Sequence, residues 1–278
     1  MNRMETLNGD TEESNGPMKR FRRGIYLLPS ALTVANLLCG YFAILATLKG
    51  SAVDLDHAAR AIGCAILFDM LDGRVARATG TNSEFGKEFD SLADIVSFGV
   101  APAFLSFAWG VRGTLHSGLP HAHMAYQLGW LVTFVFVICC AWRLARFNVH
   151  GAGPVGSSRY FVGLPTPAAA AGIAAMVHGF WSPIQDWRIS LLWLLVVLIL
   201  ALLMVSTVRY TSFKEVRWKR RMPSVMIVLV AVMLAATFYY SEMVFLLLAG
   251  AYLLHGPVFQ FVRFMRHRHA RGSVSGAA

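Results

Sequence analysis

Charge is what this chain has least of. Only 14% of its 278 residues are Asp, Glu, Lys or Arg, against about a quarter in soluble domains. In their place, 56% of residues are hydrophobic and the mean hydropathy is +0.54. That scarcity excludes a soluble globular enzyme. Cysteine is sparse too. Cys39, Cys64, Cys139 and Cys140 all lie inside apolar runs, without the spacing of a thiolate metal site or the context of a disulfide framework, and they read as small buried hydrophobes. The first 20 residues lack the apolar core of a signal peptide; being polar and poor in aromatics, they are expected to be a disordered tail. The net charge of +10 raises the question of nucleic acid. The basic residues are confined to short clusters between apolar runs, which excludes a continuous nucleic-acid-binding face.

What remains is a succession of apolar runs near the length that crosses a bilayer, roughly 17–25 residues. Eight are expected, at about 28–48, 58–76, 91–110, 127–145, 165–181, 189–208, 223–240 and 243–262. The connections alternate in charge. "MKRFRR", "GRVARATG", "RLARFNVHGAGPVGSSRYF", "RYTSFKEVRWKRR" and "VRFMRHRHAR" are basic; "KGSAVDLDH", "VRGTLHSGLPHAH", "WSPIQDWR" and "YYSE" are poor in Lys and Arg. The positive-inside rule then puts both termini and the loop after the second segment in the cytoplasm. The expected architecture is an all-α polytopic membrane bundle of about eight transmembrane helices. It comprises a disordered tail over 1–22, an integral membrane domain over 23–266 and a flexible tail over 267–278. Trp109, Trp130, Trp142, Trp181 and Trp187 fall near segment ends and read as interfacial anchors. "AGIAAM" and "LLAGAY" offer small residues for close helix packing.

Against this background one stretch stands out: "DMLDGRVARATGTNSEFGKEFDSLAD", residues 69–94. Asp69 and Asp72 are spaced i, i+3 at the end of the second segment, and Asp90 and Asp94 i, i+4 at the start of the third. On helices each pair shares a face. The short loop between them makes the two helices antiparallel neighbours, with all four carboxylates at one depth. Four negative charges in a half-dry site repel one another unless a counter-charge is present. Arg74 and Arg77 are possible partners, and simple helix-end salt bridges are one reading. An all-oxygen set suits divalent Mg²⁺, Mn²⁺ or Ca²⁺ better. Gly73, Ala76 and Gly86 keep the surroundings small, and Arg77 offers a planar fork for phosphate. Metal, small residues and Arg together describe a site for a diphosphate carrying a flat group, such as a nucleotide. A cation transporter is the rival, since intramembrane carboxylates mark ion pathways. No acidic residue deep in the later segments continues such a path.

The spacing Asp-x2-Asp-Gly-x2-Ala-Arg-x8-Gly-x3-Asp-x3-Asp resembles the signature of the CDP-alcohol phosphotransferases, with every interval kept from Asp69 to Asp94. The resemblance implies displacement of CMP from a CDP-linked donor by an alcohol hydroxyl, with Mg²⁺ or Mn²⁺ as cofactor. It implies Asp69, Asp72, Asp90 and Asp94 as metal ligands and Asp94 as general base. It implies Asp72, Gly73, Ala76, Arg77 and Gly86 around the donor, and a homodimer. Three flanking stretches, "LLPSALTVANLLCGYFAI", "DSLADIVSFGVAPAF" and the pair "RLARFN" and "GLPTPAAA", are similar to the serine-accepting branch. The substrates implied are CDP-diacylglycerol and L-serine, and the location is the bacterial cytoplasmic membrane with the site facing the cytoplasm. Glycerol-3-phosphate or another alcohol is the alternative acceptor.

Further residues carry expectations of their own. Thr33 and Asn36, one turn apart on the first apolar segment, serve either helix packing or donor binding. An Arg fork suits a serine carboxylate, which points to Arg146 first and then Arg143, with Asn148 and Ser97 as neutral partners. The His121/His123 and His267/His269 pairs lack further ligands for a metal. Lys214 to Arg221 reads as a basic loop near anionic headgroups.

Overall fold

The computed structural model describes residues 17–80, 83–117, 120–150, 160–207, 209–211, 242–251 and 253. Its elements in chain order are α1 (Pro17–Lys49), α2 (Ala52–Thr79), α3 (Glu84–Asp94), a π-helical segment (Ile95–Val100), α4 (Ala101–Gly110), a 3₁₀ turn (Arg112–Ser117), α5 (Pro120–His150), β1 (Tyr160–Val162), α6 (Thr166–Phe180), α7 (Trp187–Val205) and β2 (Arg209–Thr211). A short apolar helix, α8 (Glu242–Ala251), follows. The first helix begins at Pro17, inside the tail expected over 1–22, because a proline at the first helical position loses no hydrogen bond and has its φ preset. Residues 1–16, the C-terminal tail, His267, His269 and the Lys214–Arg221 run lie outside the described residues.

Among the described residues four helical stretches are long and apolar enough to cross a bilayer: Ser30–Lys49, Glu84–Leu115, His121–Val149 and Trp187–Val205. They make this a membrane protein. The remaining expected segments differ for identifiable reasons. The 58–76 segment is helical within α2, but its own charged side chains keep it below the apolarity of a lipid-facing span. The 165–181 segment is α6, 15 residues long, about 22 Å at 1.5 Å per residue and so short of a ~30 Å hydrocarbon core. Of 243–262, residues 242–251 form α8, and 223–240 lies outside the described residues.

One departure from an all-helical chain is a small antiparallel ladder, in which Tyr160 pairs with Thr211, Phe161 with Tyr210 and Val162 with Arg209. These β-branched and aromatic types favour extended backbone. Beside it Leu164 N–H donates to Leu203 O at 2.9 Å. Gly163, at φ +80°, sits where a Cβ would lie 2.5 Å from the Met204 carbonyl oxygen. The start of α6 is thereby stitched to the end of α7.

The core is built from small residues. Ala43 and Ala46 of α1, and Ala58, Ala61 and Ala65 of α2, are buried, which lets the two helices approach closely. Gly172 of the "AGIAAM" stretch likewise admits Leu253 and Leu200, whereas Gly250 of "LLAGAY" meets nothing within 4 Å among the described residues. Large hydrophobics such as Leu38, Phe42, Trp130, Leu131, Leu192 and Leu195 face outward, as a lipid solvent allows. Trp109 is an exception among the expected anchors. It is buried, its ring 5.0 Å from Trp193 and edge-on at 73°, because Trp193 Nε1 reaches the Ser106 carbonyl and hydroxyl and draws the indole pair inward.

Gly40 marks the tightest contact near the carboxylates: a Cβ there would lie 2.4 Å from Ser97 Oγ and 2.8 Å from Ser97 Cα. Gly40→Val is expected to push α1 off the π-helical segment and to lower the thermal midpoint of the purified protein, at a cost of about 1–3 kcal/mol. Gly63→Ala, at a position with nothing within 4 Å, should leave the midpoint unchanged or slightly raised.

Candidate active site

The site end of α2 is punctuated by Gly80, in the left-handed conformation at φ 65°, whose N–H returns to the Ala76 carbonyl. The chain re-enters a helix at Ser83, whose hydroxyl caps α3 by accepting from Gly86 N–H at 3.0 Å. A Cβ on Gly86 would stand 3.0 Å from that hydroxyl, so this glycine makes room for the cap. It was expected to clear space for a donor, and the structure gives it this local task. Directly after Asp94 the helix loosens into the π-helical segment, a geometry frequent at functional sites.

Helices α2 and α3 are expected to be antiparallel neighbours. Both pack on α1, and α2 packs against the third span at the π-helical segment and at α4. At the site end their carboxylates meet. One carboxylate oxygen each from Asp69, Asp72 and Asp90 lies within 4.8 Å of the others. Asp72 and Asp90 face each other closely enough for a direct side-chain interaction, which two carboxylates sustain only through a shared proton or a cation. Asp90 Oδ1 is buried and has no hydrogen-bond partner among the described residues. Among the described residues none of the four aspartates is ion-paired with Lys or Arg. A clustered all-oxygen donor set with an orphaned buried acceptor fits a hard divalent cation.

Asp94 stands beside this trio, near enough to feel all three charges, yet outside the set of mutually close oxygens. Its Oδ1 accepts from Asn36 Nδ2 at 3.1 Å, and Thr33 Oγ1 donates to Asp72 Oδ2 at 3.1 Å. Thr33 and Asn36, both buried, thus hold carboxylates of the motif. The sequence had left them between helix packing and donor binding, and their one-turn spacing, which matches the reach to two aspartates on two helices, was the available signal. Ser97 was expected to meet an acceptor. It is fully buried and donates to the Asn36 carbonyl at 3.0 Å, so its hydroxyl fixes Asn36 in place.

The remaining expected residues frame the site. Arg77 lies over Gly73, where a Cβ would meet Nη1 at 3.4 Å, and its charge reaches Asp69 and Asp72. Ala76 is half-buried on the same stretch. The end of α5 arrives from the other side: Asn148 Nδ2 donates to Ser91 Oγ at 2.9 Å, placing it between Asp90 and Asp94 in the α3 sequence. Arg143 and Arg146, both half-buried, lie one to two turns back along α5. His121 stacks on Trp187, its ring 4.9 Å away, and is not part of this cluster.

Thr33→Val removes the donor that holds Asp72 without touching a candidate ligand. Outer partners of metal ligands commonly contribute 10–100-fold in affinity, so the variant is expected to bind Mn²⁺ about tenfold more weakly, as read from the free-ion electron paramagnetic resonance signal. An unchanged titration would detach Thr33 from the metal site.

The CDP-alcohol phosphatidyltransferase profile matches residues 26–198. A CDP-diacylglycerol–serine O-phosphatidyltransferase from Helicobacter pylori (strain ATCC 700392 / 26695) is 32% identical over 239 residues, covering 84% of this chain and 91% of that protein. The protein of the same name from Mycobacterium leprae (strain TN) is 30% identical over 255 residues, 87% of this chain and 77% of its own length. An archaetidylserine synthase from Methanothermobacter thermautotrophicus is 36% identical over 186 residues, 66% of this chain and 69% of its own. The matched region runs from within α1 into α7 and includes every aspartate of the cluster, and the chain belongs to the CDP-alcohol phosphatidyltransferase family.

Proposed function

We propose that this protein transfers the phosphatidyl group of CDP-diacylglycerol to the hydroxyl of L-serine, giving phosphatidylserine and CMP. The observation that carries the reading is the convergence of Asp69, Asp72 and Asp90 beside Asp94, in a chain whose relatives are named as serine phosphatidyltransferases over most of its length. Asp69, Asp72 and Asp90 would hold Mg²⁺ or Mn²⁺, with Asp94 at its edge. Bound there, such a cation would supply positive charge to the diphosphate oxygens and to the departing CMP.

The chain's own residues account for the rest. Arg77, over Gly73, is placed to meet the donor's phosphates with its fork, and Gly73 and Ala76 leave room for the nucleotide. Asp94, held by Asn36, takes the proton from the serine hydroxyl. The serine oxygen bonds to the phosphatidyl phosphorus as the bond from that phosphorus to the CMP oxygen breaks, and CMP leaves. Arg146, supported by Arg143 and Asn148 at the end of α5, receives the serine carboxylate. The acyl tails need only apolar surface open to the bilayer. By the positive-inside rule the basic connections would keep this face and both termini in the cytoplasm, with the charged α2 and the short α6 enclosed by the longer spans as members of the about eight membrane segments, and with a homodimer as the working assembly. A cation path is disfavoured by geometry: the carboxylates gather at one end of α2 and α3, and two of them are tied to α1.

Purified protein given CDP-diacylglycerol, Mn²⁺ or Mg²⁺ and a panel of alcohols should release CMP with serine. Product from glycerol-3-phosphate and none from serine would overturn the acceptor assignment. Asp94→Asn should lose at least about 10²-fold in CMP release, the scale of general-base catalysis, while staying folded. Unimpaired turnover removes Asp94 as the base. Arg146→Ala should raise the KM for serine and leave that for CDP-diacylglycerol unchanged; equal effects on both would move the acceptor site elsewhere.

A further inference from the structure

At the end of the bundle away from the carboxylates, α2 and α6 share a buried polar contact that the transferase chemistry does not use. Asp56 is 3% exposed and His178 4%. Asp56 Oδ1 accepts from His178 Nδ1, and its Oδ2 is met by Arg60 Nη2 at 2.8 Å. The His178 ring also stands edge-on to Phe245 of α8, 6.2 Å away. Burying such a group inside a membrane protein is costly, and where it occurs a role is the default expectation.

We infer that the Asp56–His178 pair is a positioning device for the metal site: it sets the rotation and axial height of α2 so that Asp69 and Asp72 converge on Asp90. The inference rests on the reading of those three aspartates as metal ligands. Two features of the structure carry it.

The first is the character of the surface between α2 and α6. On the Asp56 side of α2 the buried residue one turn on is Ala59, and the buried residues of α6 include Ala169, Ala170, Gly172, Ala174 and Ala175. Two small, smooth faces slide and rotate against each other with little change in contact. A polar pair that must meet atom to atom does not, and fixing register is the best-attested use of buried polar pairs.

The second is helical phase. Asp69 and Asp72 follow Asp56 by 13 and 16 residues (69 − 56 and 72 − 56). At about 100° per residue they point roughly 220° and 160° away from it, to the opposite side of α2, and at 1.5 Å per residue Asp69 lies about 20 Å along the axis. The helix is thus pinned twice on opposite faces: to α6 by Asp56, and to α1 by Asp72 through Thr33. Neither contact alone fixes the rotation of a helix. Together they do.

The test is a double-mutant cycle read by Mn²⁺ binding, with no substrate present, on purified protein. Asp56→Asn and His178→Gln, which keep hydrogen-bonding capacity, are measured first. Asp56→Leu, His178→Leu, their combination, and the exchange Asp56→His with His178→Asp follow. The Leu variants are expected to weaken Mn²⁺ binding about tenfold, with the double no weaker than the worse single, since the two residues act as one contact. The exchanged pair should restore most of the affinity, and Asn and Gln should give intermediate losses. A structural role alone would lower the yield and thermal midpoint while the folded fraction bound Mn²⁺ like the parent. That result, additive losses, or an exchanged pair that folds without regaining affinity overturns the inference. If the Leu variants do not fold, the Asn and Gln variants decide it by the same criterion. Parent protein that binds no Mn²⁺ would sink the metal site itself, whereas parent and variants that bind equally well would sink only the positioning role.

Discussion

Like charges brought together in a poorly solvated place must be reconciled, and this fold is organised around doing so. Asp69, Asp72 and Asp90 come from two helices, α2 and α3. Their proximity creates a demand for positive charge that no Lys or Arg among the described residues meets by direct pairing. Arg77 contributes at longer range. An unpaired set of this kind would be destabilising if it were only structural. Its persistence makes sense as a receptor for a cation and for the phosphates that accompany it.

α1 is what makes the arrangement rigid. Its polar residues are few, and two of them, Thr33 and Asn36, each hold one aspartate, while the Asn36 backbone carbonyl is held in turn by Ser97. The chain of contacts runs from the π-helical segment through α1 to both carboxylate-bearing helices. Gly40 permits it, because only a residue without a side chain lets α1 lie so near Ser97. Small residues at helix contacts, in this reading, set the precision of the site as well as the packing of the bundle.

Much of this was legible in the sequence. The interval from Asp69 to Asp94 identified the cluster and the family, because side-chain spacing on helices is a local property that residue numbers encode directly. The apolar runs gave the class. What was not legible is non-local. Nothing in the numbering said that Ser97 would turn its hydroxyl to α1, or that Trp109 would be drawn inward by Trp193. The span count was blurred for a related reason: a helix that carries the site's charges, as α2 does, and one as short as α6 are both helical in fact but do not meet the length and apolarity of a lipid-facing span. Asp56 and His178 escaped notice because 122 residues separate them.

The π-helical stretch from Ile95 to Val100 divides a single span into two parts with different obligations. Because each of its residues turns the chain through a smaller angle than in an α-helix, α3 and α4 are offset in azimuth, and each can be aimed independently. The preceding part presents Asp90 and Asp94 to the carboxylate cluster; the following part presents Leu105, Ser106 and Trp109 to the protein interior. A motif grafted from one relative to another is therefore not a portable cassette ending at its last aspartate. The recipient needs the wider turns that follow, or the same eight signature residues will be correctly spaced and wrongly aimed.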